Sequence, residues 1–223
     1  MAPTAVADDD AVPSFSSANF VEGERSLKNL IKFPKVKGDL SIVVNCTSIG
    51  SAKGRIRDAK CSATDDPSQK FAIAVSRRSR SARITPAIVD GKNEQVDFQF
   101  NVVFIRTGET ETIDVYTNNR KNLDRFGPDY ISAQRYSPYE LPDVCKERRA
   151  SYLILEIAVV TKEGRVKESD LHVDSIGIAK VCETSLREIT RSSRFVPAFH
   201  DGLPVESIWV NPLIATPIKY RGI

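Results

Sequence analysis

Arg194-Phe195-Val196-Pro197-Ala198-Phe199-His200-Asp201-Gly202-Leu203-Pro204-Val205-Glu206 decides how this chain is read, because a second version of it stands upstream. Arg83-Ile84-Thr85-Pro86-Ala87-Ile88-Val89-Asp90-Gly91-Lys92-Asn93-Glu94 keeps the same frame: Arg, an apolar residue, any residue, Pro-Ala, two residues, Asp-Gly. Pro86 and Pro197 lie 111 positions apart. A second marker, Gly54-Arg55-Ile56-Arg57 against Gly164-Arg165-Val166-Lys167, repeats at 110. Two anchors holding one offset indicate a duplicated unit, and so long a period indicates tandem domains rather than a solenoid.

The flanking residues give each copy the same order of elements. Asp39 to Cys46, dominated by β-branched residues, reads as a strand. A polar loop from Thr47 to Lys53 follows, and Gly54 opens a second strand to about Cys61. In the other copy, Leu153 to Val160 and Arg165 to Val173 flank Thr161-Lys162-Glu163-Gly164, a hairpin signal with Gly supplying positive φ. Asp66-Pro67-Ser68-Gln69 then reads as a helix start, with Asp at the N-cap and Pro at the first helical position. Phe71, Ile73 and Ala74 supply its apolar face. The second helix is expected from Ile176 to about Ser192, with Ile178, Val181, Cys182, Leu186 and Ile189 at helical spacing.

Pro86 and Pro197 stop helical continuation, Asp-Gly turns the chain, and a third strand begins. In the first copy Val96, Phe98, Phe100, Val102 and Phe104 alternate with Asp97, Gln99 and Asn101, predicting one buried and one wet face. Thr110 to Tyr116 reads as an added strand. In the second copy the third strand runs from Val205 to about Asn211, where Pro212 interrupts it and marks a sheet edge. The domain reading is residues 1–31 as flexible tail and lead-in, 32–117 as the first copy, 118–137 as linker and 138–223 as the second copy. A short helix is expected over Pro142 to Arg149, carrying Cys145.

Composition narrows the class. Hydrophobic content of 41% and charged content of 27% are ordinary for a globular chain. A net charge of +3 is too small to indicate a nucleic-acid binder. The most apolar run, Tyr152 to Val160, is broken by Glu156 and is half the length of a membrane span, so none is expected. The start of the sequence lacks the basic and apolar regions of a signal peptide, which leaves a cytosolic chain or a mature exported one.

The four cysteines, Cys46, Cys61, Cys145 and Cys182, form no Cys-x-x-Cys motif. Transferring the second hairpin's register by 110 places Cys46 opposite Cys61, or one residue away, within reach of a disulfide. The alternative is two buried thiols. Cys145 and Cys182 are then the remaining pair, although four cysteines allow three connectivities. His172 and His200 are the only histidines, and no nucleophile motif or metal-ligand spacing accompanies them. His200, beside Asp201 in the turn, reads as a solvated residue. No catalytic residue, metal or cofactor is expected.

The segment from Thr161-Lys162-Glu163-Gly164-Arg165-Val166 to Phe195-Val196-Pro197-Ala198 and Gly202-Leu203-Pro204-Val205 resembles the C-terminal domain of the TonB family over residues 138–216. Residues 32–104 match more weakly, with Ile84 in place of the aromatic residue and Asn93 in place of the turn proline. The resemblance implies an α+β fold of two tandem small domains, each a β-hairpin, helix and third strand forming an antiparallel sheet with the helix on one face. The Cys46–Cys61 placement also resembles a cysteine pair of some members. It further implies a non-catalytic role in the Gram-negative periplasm, linked to outer-membrane transport.

There the last strand takes up an extended peptide of an envelope or outer-membrane protein by β-augmentation. Carried onto this sequence, the partner-binding residues are Val205, Glu206, Ser207, Ile208, Trp209 and Val210. Trp209, the only tryptophan, anchors the partner or fills the core. The full energy transducer also has a membrane helix and a proline-rich spacer, neither of which is read here. A second reading rests on Arg77, Arg78, Arg80 and Arg83 at the end of the first helix. They complement the helix dipole, or they meet peptidoglycan or another acidic surface.

Overall fold

A computed structural model describes residues 14–118, 120–136, 142, 145, 152–174 and 180–215. Two short strands, β1 (Phe15–Ser16) and β2 (Asn19–Phe20), and a single-turn helix α1 (Leu27–Leu30) precede the hairpin β3 (Leu40–Gly50) and β4 (Ile56–Ser62). Then come α2 (Lys70–Ser79), β5 (Ile84–Thr85), β6 (Ala87–Val89), β7 (Lys92–Glu94), β8 (Val96–Thr107) and β9 (Thr110–Tyr116). After α3 (Arg120–Phe126) the same order returns: β10 (Tyr130–Ile131), β11 (Gln134–Arg135), β12 (Tyr152–Val160), β13 (Val166–Asp174) and α4 (Lys180–Ser192). It closes with β14 (Phe195–Val196), β15 (Ala198–His200), β16 (Leu203–Val205) and β17 (Ser207–Ala215). The class is α+β with antiparallel sheets, as expected.

The larger sheet has the order β4-β3-β8-β9 and the second β13-β12-β17. Helix α2 lies on β3 and β4, and α4 on β12 and β13. Val44, Phe98, Phe100 and Phe104 meet Phe71 and Val75 of α2 in one core. Burying side chains of this size contributes about 1.5–3 kcal/mol each. Around the second sheet, Ile154 and Leu186 form one cluster, and Ala158, Phe195 and Trp209 another. The repeated motif folds into a two-residue hairpin in each half. Asp90 and Gly91 (φ 51° and 74°) join β6 to β7, and Asp201 and Gly202 (φ 52° and 76°) join β15 to β16. Positive φ at both central residues gives the loop the twist that antiparallel strands need.

Several expectations are corrected. Helix α2 begins at Lys70, not at Pro67, because Gln69 has φ 54°. Asp66 still caps it from a distance, its Oδ2 accepting the Phe71 N–H at 2.9 Å. Ile73 points outward, at 47% exposure. Strand β3 continues to Gly50 instead of ending near Cys46, and Ser48 Oγ donates to the Phe98 carbonyl at 2.8 Å. Residues placed in the lead-in and linker are strands: β1 and β2 pair with β6 and β5, and β10 and β11 with β15 and β14. The start of the second helix at Ile176, with Ile178, lies outside the described residues. So does most of the helix expected over Pro142 to Arg149, where only Pro142 and Cys145 are described.

Candidate functional site

The residues carried over from the resemblance do not lie on one strand. Val205 ends β16, Glu206 follows it, and β17 starts at Ser207. The strand then runs through Pro212 to Ala215, paired with β12 along its whole length. Proline removes a ladder donor, so it is tolerated where its nitrogen faces away from the neighbouring strand. In an antiparallel pair, alternate residues turn both main-chain groups toward the neighbour or away from it. Val210 shares the parity of Pro212, and its carbonyl accepts a hydrogen bond from Gln99 Nε2, outside the sheet, at 2.7 Å. Ile208, Val210 and Pro212 therefore address the outer edge, where β17 has no strand neighbour among the described residues. In the larger sheet the corresponding edge of β8 is covered by β9.

Side chains of β17 divide by the same parity. Trp209 is 1% exposed and packs edge-on against Phe195 with ring centroids 5.1 Å apart. It belongs to the core. Ile208 is 47% exposed and Val210 half-buried.

Beyond the β17 edge lies a groove of about 720 Å³. One wall is Leu155, Val210, Asn211 and Pro212; the other is the face of β3, β4 and β8 that carries Thr47, Lys60, Gln99 and Asn101. Alternation in β8 predicted a wet face here, yet Gln99 is 8% exposed and Asn101 1%. The correction has a physical cause: β11 packs against β8, and Val210 and Asn118 take up the Gln99 and Asn101 amides.

At the base of the groove Arg135, from β11, is almost fully buried. Its Nε and Nη2 donate to Asp97 Oδ2 at 2.8 and 2.7 Å, and Nη1 lies 3.6 Å from Glu156 Oε2. Its guanidinium stacks 4.7 Å from the Trp209 ring centroid. Glu156, 0% exposed, also accepts from Thr190 Oγ1 at 3.1 Å and Asn211 Nδ2 at 2.8 Å. Burial pushes its carboxyl above the usual range, against the opposing pull of Arg135 and the two hydrogen bonds. Asp97 on β8 and Glu156 on β12 are thus joined through one cation. A reciprocal pair nearby adds to the joint: Gln134 Oε1 accepts from Ala18 N, and Gln134 Nε2 donates to Ala18 O, both at 2.8 Å.

Sequence reasoning missed Asp97, Gln99, Asn101, Arg135 and Glu156 as a group. One signal was available, since a glutamate inside the apolar run Tyr152 to Val160 requires a buried partner.

Both cysteine pairs are disulfides. Cys46 and Cys61 are directly opposed on β3 and β4 with Cα atoms 4.2 Å apart, and Cys145 is bonded to Cys182. His172 is exposed, and His200 lies beside the Phe126 and Tyr130 rings. Among the described residues no group of three or more His, Cys, Asp or Glu is placed to hold a metal ion, and no helix is long and apolar enough to cross a membrane. Comparison with family models, curated proteins and solved structures finds no match.

Proposed function

We propose that the chain is a non-catalytic peptide-binding module, two tandem domains that resemble the TonB C-terminal domain. It works in an oxidising compartment, the Gram-negative periplasm, and takes an extended segment of an envelope or outer-membrane protein onto β17. The observation that carries this reading is the outer edge of β17, where the main-chain groups of Ile208 and Val210 face away from β12. A strand edge of this kind binds peptides through main-chain hydrogen bonds, with alternate side chains selecting the sequence. The two disulfides are consistent with the compartment, because reducing cytosol does not sustain them.

The test uses peptides selected from a phage-displayed random library on the immobilised chain. Ile208→Pro deletes one outward N–H and leaves the β12 ladder intact, as Pro212 already does. The expected result is a roughly tenfold or larger loss of affinity for a selected peptide. Equal binding by the variant, or no selectable peptide, overturns the reading.

A second reading keeps one supporting observation: Arg77, Arg78 and Arg80 are all exposed at the end of α2. Their partner would be peptidoglycan or another acidic surface. Co-sedimentation with purified peptidoglycan that disappears with added salt would favour it, since screening acts on exposed charges.

A further inference from the structure

Asn101 sits in the groove wall, 1% exposed, and its Oδ1 has no hydrogen-bond partner among the described residues. The orientation of this amide is fixed by a chain of bonds. Asn118 Nδ2 donates to the Tyr130 carbonyl at 3.0 Å, so Asn118 Oδ1 is the atom turned to Asn101. It accepts from Asn101 Nδ2 at 3.4 Å, which leaves Asn101 Oδ1 on the other side. A buried acceptor without a donor is costly, and its cost is recovered when a ligand brings an N–H. Two residues away on the same face, Gln99 offers the Val210 carbonyl a carboxamide N–H, the group an incoming peptide would present there.

Resting on the strand-addition reading above, we infer that the groove between β17 and the β3–β4–β8 face is the peptide site, with Gln99 as its internal placeholder and Asn101 Oδ1 as a second acceptor for the peptide's N–H groups. The ligand is an extended, uncharged segment. Lys60 and Asp58 on β4 are of opposite sign, and Arg135 and Asp97 are engaged with each other, so the lining has no surplus charge for an ionic ligand to answer. Leu155, Val210 and Pro212 give it an apolar wall for alternate side chains. The bound peptide displaces the Gln99 carboxamide from Val210 and donates to the same carbonyl.

Gln99 and Asn101 are then predicted to act with opposite sign on one selected library peptide. Gln99→Ala removes a competitor that must be displaced, and affinity rises roughly threefold to tenfold. Asn101→Ala removes an acceptor, and affinity falls by a similar factor. A groove that is merely loosened would weaken binding in both variants. Hydrogen exchange and side-chain amide resonances of the unmutated chain give an independent readout: peptide should protect Ile208 and Val210 and shift the Gln99 and Asn101 amides. Sensitivity to Ile208→Pro with both groove variants unchanged and no shift at Gln99 or Asn101 overturns the inference and leaves strand addition standing. Failure of Ile208→Pro to affect binding overturns both.

Discussion

The carbonyl of Gly164 accepts the N–H of Phe195 at 2.9 Å. The same relation joins Gly54 to Ile84 at 3.2 Å, and isolated bridges pair Arg165 with Arg194 and Arg55 with Arg83. The two markers that repeat together in the sequence are therefore one contact in space. The hairpin turn of each half docks on the segment that leaves its helix. Each glycine has positive φ, 73° at Gly164 and 68° at Gly54, and each lies against a main-chain oxygen.

That close approach predicts a large cost for the smallest side chain. A Cβ at Gly164 would lie 2.0 Å from the Phe195 oxygen, so Gly164→Ala must separate the turn from β14. Gly91 has φ 74° but nothing within 4 Å, so Gly91→Ala meets backbone strain alone. Urea unfolding should show a loss of about 1 kcal/mol for Gly91→Ala and about 3 kcal/mol or more for Gly164→Ala. Equal losses would mean that the contact contributes nothing beyond φ.

The Cys46–Cys61 bridge closes a separation of 15 residues between directly opposed strand positions. A loop of that length gives about 3 kcal/mol by restricting the unfolded chain. The double variant Cys46→Ser, Cys61→Ser should lose about that amount in urea unfolding without reductant. Thiol titration of the denatured, unreduced protein should find no free cysteine. Four free thiols would remove the support for an oxidising compartment.

Local patterns carried most of the fold. β-Branched runs, a polar loop ending in glycine and Pro-Ala after a basic helix end are decided within about ten residues of chain, so β3, β4, α2 and β9 could be anticipated. The site was not local. Gln99 and Asn101 alternate with apolar residues as a solvated face would, and it is distant partners, Val210 of β17 for Gln99 and Asn118 for Asn101, that meet them. Arg135 sits in a strand of two residues, too short for any period to show. Pro212 reads as a stop because sequence does not reveal which side of β17 lacks a neighbour. Trp209, left between anchor and core, is core because its parity places it beside Phe195 and Arg135.

Asp66 is not the N-cap of α2, which is Gln69, yet its carboxylate still accepts a main-chain N–H of the first turn. Burial would raise its carboxyl, but hydrogen bonds from Ser68 Oγ at 2.6 Å and from main-chain N–H groups outweigh it and hold it below the usual value. A lowered native value contributes stability above the unfolded value of about 3.9 that is lost as pH falls through the native one. Asp66→Ala should cost about 1 kcal/mol at neutral pH. Its difference from the parent chain should vanish at strongly acid pH, read by urea unfolding.

The Asp97–Arg135–Glu156 cluster predicts the opposite pH dependence. Arg135→Met leaves Glu156 buried without its cation and should cost about 3–5 kcal/mol, whereas Glu156→Gln keeps the shape and the contacts to Thr190 and Asn211. In the double variant much of the Arg135→Met cost should disappear, because no unpaired carboxylate remains. The native carboxyl of Glu156 titrates above its ordinary value, burial being the main cause and Arg135 and the hydrogen bonds opposing it. Between the unfolded value of about 4.3 and that raised value, the native state holds more proton than the unfolded one. The stability linked to this group is therefore full below the window and falls as pH rises through it. Urea unfolding across this range should show the fall in the parent chain relative to Glu156→Gln, and a steeper one in Arg135→Met, where the opposing cation is gone. Parallel curves for the parent and Glu156→Gln would mean that Glu156 titrates alike in both states.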